Sequence, residues 1–213
     1  SRGLGDVYKR QVESNLSVIR KNTNRLMELI KQLLDFRKVD KEGYALSFNE
    51  VNINRMTEEI IDRFRAISLT GISFSVSLPK EHLQYNVDQE ALTKVVSNLL
   101  TNAMKYARSR IMVILDEHLS AEGRTLSICV RDDGPGIPQD ECSKVFEPFY
   151  QVGNAGNNGS GVGIGLSLVK LLVEKHNGKV FINPNYAEGC EVCVEIPYFE
   201  KSIPATHAVT SMP

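Results

Sequence analysis

Tryptophan is absent from this sequence, cysteine is scarce, and neither sign of charge prevails. Formal net charge is -1 over 213 residues, so no global basic field argues for nucleic acid or an anionic membrane. The longest apolar runs, such as Met112–Leu115, fall far short of the roughly 20 residues that span a bilayer. The start lacks the basic, apolar and small-residue succession of a signal peptide. Four cysteines (Cys129, Cys142, Cys190, Cys193) are too few and too scattered for a disulfide framework, and a reducing, cytoplasmic setting fits best. The spacing Cys190-x-x-Cys193 has no further zinc ligands nearby. On a strand those two side chains point to opposite faces, so packing is the better reading. What is present, 42% apolar residues in a chain of this length, suffices for one good core with a smaller appended element.

Residues 1–11 show no useful periodicity and read as a lead-in or a vector-derived leader. Val12, Leu16, Ile19, Thr23, Leu26, Ile30 and Leu33 then alternate spacings of four and three, the seam of a helical bundle, and Gly43 ends the stretch. One such helix cannot bury its stripe alone. From residue 45 the pattern changes to alternating strands and helices. Strands are predicted at Ala45–Asn52, Ile72–Leu78, Leu83–Val87 (pairing with the preceding strand), Lys179–Ile182 and Glu191–Ile196. Arg110–Glu117 and Thr125–Asp132 form a predicted hairpin around a polar turn at Leu119–Arg124. Helices are predicted at Ile53–Ile67, Gln89–Ala107 and Gly163–His176. Strands outnumber helices and hairpins dominate, so the fold class is α+β, a two-layer sandwich with helices on one sheet face. Residues 199–213 read as a linker or tail.

Four clusters carry chemistry. In Asn98-Leu-Leu-Thr-Asn102-Ala-Met-Lys105-Tyr106, spacing by four puts Asn98, Asn102 and Tyr106 on one helix face, with Lys105 beside them. Amide oxygens suit Mg²⁺, and Lys meets phosphate as a point charge; taken alone, the segment reads equally as a polar helix face. Asp132-Asp133-Gly134-Pro135-Gly136-Ile137 sets an acceptor-only carboxylate beside glycines that permit close backbone approach, and is also a good turn. Val145-Phe146-Glu147-Pro148-Phe149-Tyr150 precedes a polar Gly/Asn-rich stretch, Gln151–Ser160, as an aromatic anchor precedes a lid, or as a core plug precedes a surface loop. Gly159-Ser160-Gly161-Val162-Gly163-Ile164-Gly165-Leu166 opens into a helix whose backbone amides form an anion site. Val162-Gly163 stands where a phosphate loop needs Lys-Ser/Thr, and Leu166 or Leu168 where a dinucleotide fingerprint needs its last glycine. This is a nucleotide loop of another kind or a structural hinge.

In this order the clusters resemble the ATPase fold shared by histidine kinases, gyrase, heat-shock chaperones and mismatch-repair proteins, and specifically its histidine-kinase version. Asn98–Tyr106 is similar to that family's N box, Asp132–Ile137 to its first glycine box, Val145–Tyr150 to its F box and Gly161–Leu166 to its second glycine box. The resemblance covers residues 45–198 as an ATP-binding catalytic domain. It reads residues 12–43 as the second helix of a dimerisation hairpin, through Leu26-Met-Glu-Leu-Ile-Lys-Gln-Leu-Leu-Asp-Phe-Arg37. It implies ATP and Mg²⁺, with Asn102 on the metal and Asn98 in support. By the same carry-over Lys105 meets phosphate, Tyr106 lies against the nucleotide, and Asp132 binds the adenine amine. Gly134, Gly136, Ile137, Phe149 and Leu166 shape the pocket, while Gly161, Gly163 and Gly165 let the lid and helix N-terminus close.

Departures are Asp133 where Asn is usual, Val162 for a phosphate-reaching Thr, Gln151 for Arg, and Cys190 for Ser or Thr. None of His82, His118, His176 and His207 is followed by the acidic residue that marks the family's acceptor, and none lies on the bundle helix. The acceptor helix is thus missing from the chain, and His176 reads as a complement to its helix's C-terminal dipole. The implied partners are an acceptor-histidine helix, a response-regulator receiver domain and, in the intact protein, a second copy; the parent is expected to place this domain in the cytoplasm, free or membrane-anchored. The competing readings are a non-catalytic nucleotide-binding interaction module of the same fold, and another branch of the ATPase family.

Overall fold

A computed structural model describes residues 2–41, 43–68, 71–121, 123–154 and 163–199. Helix α1 (Arg2–Asp40) leads, so the unpatterned first residues continue the bundle helix instead of preceding it. Then come β1 (Asn49–Asn52), α2 (Ile53–Ile67), β2 (Ser73–Ser77), β3 (Gln84–Val87), α3 (Gln89–Tyr106), β4 (Arg110–Ser120) and β5 (Gly123–Asp132). The chain closes with α4 (Gly165–Lys175), β6 (Lys179–Ile182) and β7 (Cys190–Pro197). The starts of α2 and α3 are set by side-chain caps: Asn52 Oδ1 accepts from the Arg55 N–H at 3.0 Å, and Asp88 Oδ1 from the Ala91 N–H at 2.9 Å.

The main sheet has the order β2-β4-β5-β7-β6, antiparallel except for the parallel pair β2–β4. Alternation sends Ile111, Val113 and Leu115 of β4, Leu126, Ile128 and Val130 of β5, and Val192, Val194 and Ile196 of β7 to one face. There they meet Leu92, Val95, Val96, Leu99 and Leu100 of α3, and Leu168, Val169, Leu172 and Val173 of α4. Each such side chain contributes about 1.5–3 kcal/mol by leaving water. This is the two-layer α+β sandwich expected, with helices on one face.

Two pairings differ from expectation. Strand β3 pairs with β1, as a separate antiparallel ribbon, and not with β2. The cause is Asn54, buried on α2: its amide donates to the Pro79 and Glu81 carbonyls, and its Oδ1 accepts from the Leu83 N–H at 2.8 Å. Those bonds turn the chain away from β2, and the register Val51↔Tyr85 buries both side chains. The β4–β5 strands also run on to Ser120 and Gly123, through the segment expected to be a turn; Arg124 reaches across to Glu117 at 2.8 Å there.

The bundle seam of α1 is exposed at Val12, Leu16, Ile19, Leu26, Ile30 and Leu33. Its last turns meet the domain: Val39 is fully buried, Phe36 packs against the core, and Asp35 pairs with Lys94 of α3 at 3.3 Å. Among the described residues no helix is long and apolar enough to cross a membrane.

Candidate nucleotide site

The site is assembled where α3, the end of β5 and the start of α4 converge. Asn98 donates its amide N–H to the Lys94 carbonyl at 2.8 Å, one turn back on α3. That bond fixes the rotamer and turns Oδ1 toward α4, where a Cβ on Gly165 would stand 3.1 Å from it and 4.0 Å from Asn102 Nδ2. Glycine at 165 therefore lets α4 approach the amide stripe. The N-terminus of α4 has no side-chain cap: Ile164 occupies that position, and the Ser167 hydroxyl donates to the Ile164 carbonyl. Among the described residues its first N–H groups have no side-chain cap, which makes the positive end of this eleven-residue helix, beside Asn98 and Asn102, an anion site. Asn102 makes no side-chain hydrogen bond among the described residues, which leaves its oxygen available to a cation. Lys105 and Tyr106 are exposed at the C-terminal end of α3, with the ammonium 4.6 Å from the ring centroid.

Asp132 lies at the end of β5, 6% exposed. Its Oδ1 accepts from the Gly134 N–H at 2.8 Å. Burial pushes its carboxyl above the usual carboxylate range; the Gly134 and Cys190 N–H groups oppose that, and no cation does. A buried carboxylate held only by backbone donors keeps acceptor capacity for an exocyclic amine. The adjoining glycines are required by close packing. A Cβ on Gly134 would meet the Tyr106 carbonyl at 2.6 Å, which ties the first glycine cluster to the end of α3. Gly136 adopts φ 76°, and a Cβ there would meet the Gly189 carbonyl at 2.8 Å. Ile137 and Leu166 are half-buried at the rim.

Asp133 has a different task from its neighbour. Its carboxylate accepts from the Ser109 hydroxyl and from the N–H groups of Arg108, Ser109 and Arg110. The Ser109 contacts foremost hold it well below the usual carboxylate range. An acidic residue suits this turn because both of its oxygens accept, Oδ1 from the backbone N–H groups and Oδ2 from the Ser109 hydroxyl.

In the aromatic cluster, Val145 and Phe146 are the buried anchor, whereas the Phe149 side chain is exposed. Phe149 contributes through its backbone: its N–H donates to the Gly163 carbonyl at 2.9 Å, with φ 68° at Phe149 and 74° at Gly163. Gly161 and Val162 lie outside the described residues, as does 155–160 of the expected lid.

Three supports were not read from the sequence. Gly189 lies so close to Asp132 that a Cβ would meet the Asp132 carbonyl. Lys94, which anchors Asn98 through its carbonyl, reaches Asp35 and Glu90 with its ammonium. His176 does not complement a helix dipole as a cation. It is buried, its Nε2 accepts from the Asp88 N–H at 3.2 Å, and so its Nδ1–H donates to the Leu172 carbonyl at 2.8 Å. Both bonds together specify the neutral ring. Nor are all four cysteines free: Cys129 and Cys193 form a disulfide between β5 and β7, while Cys190 points to the opposite face with its thiol pushed up to about 12 by burial.

The sequence matches the family described as "Histidine kinase-, DNA gyrase B-, and HSP90-like ATPase" over residues 87–200. It is 32% identical to the sensor histidine kinase WalK of Bacillus subtilis (strain 168) over 187 residues, 87% of this chain and 31% of that protein. With the sensor protein kinase WalK of Staphylococcus saprophyticus it shares 33% identity over 183 residues, 85% of this chain and 30% of the relative. The chain thus spans under a third of the length of these curated relatives. Among solved structures, full-length ShkA in complex with AMPPNP aligns with TM-score 0.74 at 23% identity, covering 89% of this chain and 39% of that one, a likeness of fold. The mycobacterial sensor histidine kinase MprB aligns with TM-score 0.59 at 26% identity, covering 73% of this chain and 100% of that one.

Proposed function

We propose, from the premise that this chain belongs to the histidine kinase-, DNA gyrase B- and HSP90-like ATPase family and within it to the sensor histidine kinases, that it binds ATP and serves as the phosphoryl-donating half of such a kinase. The observation that carries this reading is the N-terminus of α4, without a side-chain cap among the described residues and beside Asn98 and Asn102, together with the buried Asp132 at the end of β5. An anion-seeking helix end, two amides and an isolated carboxylate acceptor match the triphosphate, its cation and the adenine amine of one nucleotide.

In this reading Asn102 holds Mg²⁺ with Asn98 in support, and the ion neutralises phosphate charge when bound. Lys105 swings from the Tyr106 ring to phosphate, and Tyr106 lies against the nucleotide. Asp132 takes the adenine amine in a pocket shaped by Gly134, Gly136 and Ile137. The backbone at Phe149, Gly161, Gly163, Gly165 and Leu166 closes over the phosphates. Phosphoryl transfer asks of a protein chiefly positioning and charge neutralisation, which these groups supply. The acceptor is a histidine on a dimerisation helix outside these 213 residues, and a response-regulator aspartate receives the phosphoryl group in turn. The parent is a homodimer that presents this domain in the cytoplasm.

Titration calorimetry with a non-hydrolysable ATP analogue tests the site. Mg²⁺-dependent binding is expected for the chain, and its loss, by about a hundredfold or more, for Asn102→Ala. Absence of binding to the unaltered chain would refute the nucleotide reading. Transfer of label from ATP to an added acceptor-helix domain then separates a kinase from a nucleotide-binding interaction module. The chain alone is expected to form no phosphohistidine.

A further inference from the structure

The Cys129–Cys193 bond takes no part in the nucleotide site, yet its position in the sheet is informative. The two residues stand directly opposite each other in the β5–β7 ladder, with Cα atoms 4.1 Å apart. They lie on the sheet face turned away from the helices, in a cross-strand row with Ile114 of β4 and Phe181 of β6. Cys193 is buried, and Cys129 is partly exposed. The neighbouring strands pair along eight residues each, from Thr125↔Pro197 to Asp132↔Cys190. Besides the bond, the strands are held by their backbone ladder and by the packing of Val130, Val192 and Val194 on the other face.

The covalent loop closed by the bond spans 64 residues of sequence separation. It contains every candidate-site residue from Asp132 to Leu166, the part of the site that α3 does not supply.

We propose that Cys129 and Cys193 form a reversible dithiol–disulfide site, open to thiol–disulfide exchange at the partly exposed Cys129, that sets the stability of the segment between β5 and β7. The thiolate of a dithiol reductant attacks Cys129 Sγ and forms a mixed disulfide. Cys193 Sγ leaves as thiolate and takes a proton. The second thiol of the reductant resolves the mixed disulfide and releases Cys129 as a thiol. Two electrons and two protons pass to the protein, and the reductant becomes a disulfide. The reverse exchange, with an oxidised low-molecular-weight disulfide, restores the bond. In a reducing compartment the dithiol is the resting form, and the bond records an oxidising episode. Metal capture is the weaker use of this cluster. Glu191 would be the third ligand beside the two sulfurs, but its two carboxylate oxygens are already engaged by Arg131 and Asn183.

The test equilibrates the whole chain in dithiothreitol buffers of graded oxidised-to-reduced ratio, then alkylates free thiols and maps them by mass spectrometry. Cys129 and Cys193 are expected to pass from protected to alkylated together, without denaturant, while Cys142 and Cys190 show no such coupled transition. The melting temperature of the oxidised form is expected to exceed that of the reduced form by about 5–10 °C, because the bond restricts the unfolded chain. In Cys129→Ala that dependence on buffer vanishes. Alkylation of both residues in the most oxidising buffer overturns the proposal, as does protection that survives excess reductant until the chain unfolds. Equal melting temperatures at the two extremes also overturn it. The alkylation arm needs no variant, and none of the arms needs nucleotide, so the outcome is independent of the ATP reading.

Discussion

His176 illustrates how one side chain joins distant parts of this domain. The neutral ring accepts from Asp88 at the head of α3 and donates to Leu172 at the end of α4. Asp88 in turn caps α3 and accepts from the Ser47 N–H at 2.8 Å. Burial lowers the His176 pKa below its ordinary 6.5, with the Leu172 carbonyl and Asp88 opposing. Below pH 6.5 the unfolded chain takes up the proton before the folded one does, so stability is full above that pH and is lost as pH falls toward the depressed folded value. Melting temperature should therefore drop between pH 7.5 and 5. His176→Gln should cost about 1–3 kcal/mol at pH 7.5, since one chain end cannot satisfy both bonds, and should flatten that dependence. A steep pH dependence unchanged in the variant would assign the titration elsewhere.

The helices were legible where a capping residue stands directly before an apolar periodic run, as Asn52 does for α2 and Asp88 for α3. The β4–β5 hairpin and β6 were legible from alternation alone. The partner of β3 was not, because Asn54 decides it through hydrogen bonds 25 to 29 residues away. The Cys129–Cys193 pair escaped for the same reason, as its spacing of 64 residues carries no local signal. Within the candidate site, spacing by four placed Asn98 and Asn102 on one face; that this face meets the start of α4 follows only from packing. The junction of α1 with the domain was likewise invisible, since Val39 and Asp35 sit at the end of a stripe that is otherwise exposed. Val39→Ala should weaken that docking by about 1–3 kcal/mol. Hydrogen exchange should speed up in the last turns of α1 while the core strands keep their protection. Equal acceleration in β5 would instead mean that α1 and the sheet unfold as one unit.

The molecule presents two unlike surfaces, a closed sandwich and a long helix whose apolar stripe from Val12 to Leu33 is exposed among the described residues. Leu16, Ile19, Leu26, Ile30 and Leu33 together form an exposed patch that a second helix would cover. Light scattering should give a mass above that of the monomer at micromolar concentration, and Leu26→Glu with Ile30→Glu should return it to the monomer. A monomeric mass for the unaltered chain would show that the stripe tolerates water. The bond from the Phe149 N–H to the Gly163 carbonyl has a consequence of another kind. It ties together the two ends of the connection 150–162, so the anchors keep their places whatever length of chain runs between them. Doubling the length of a connection whose ends are already held together adds only about 0.6 kcal/mol of closure entropy. A residue inserted between these two anchors should therefore cost the sheet little, and a reporter sequence placed there should leave the melting temperature of the domain nearly unchanged.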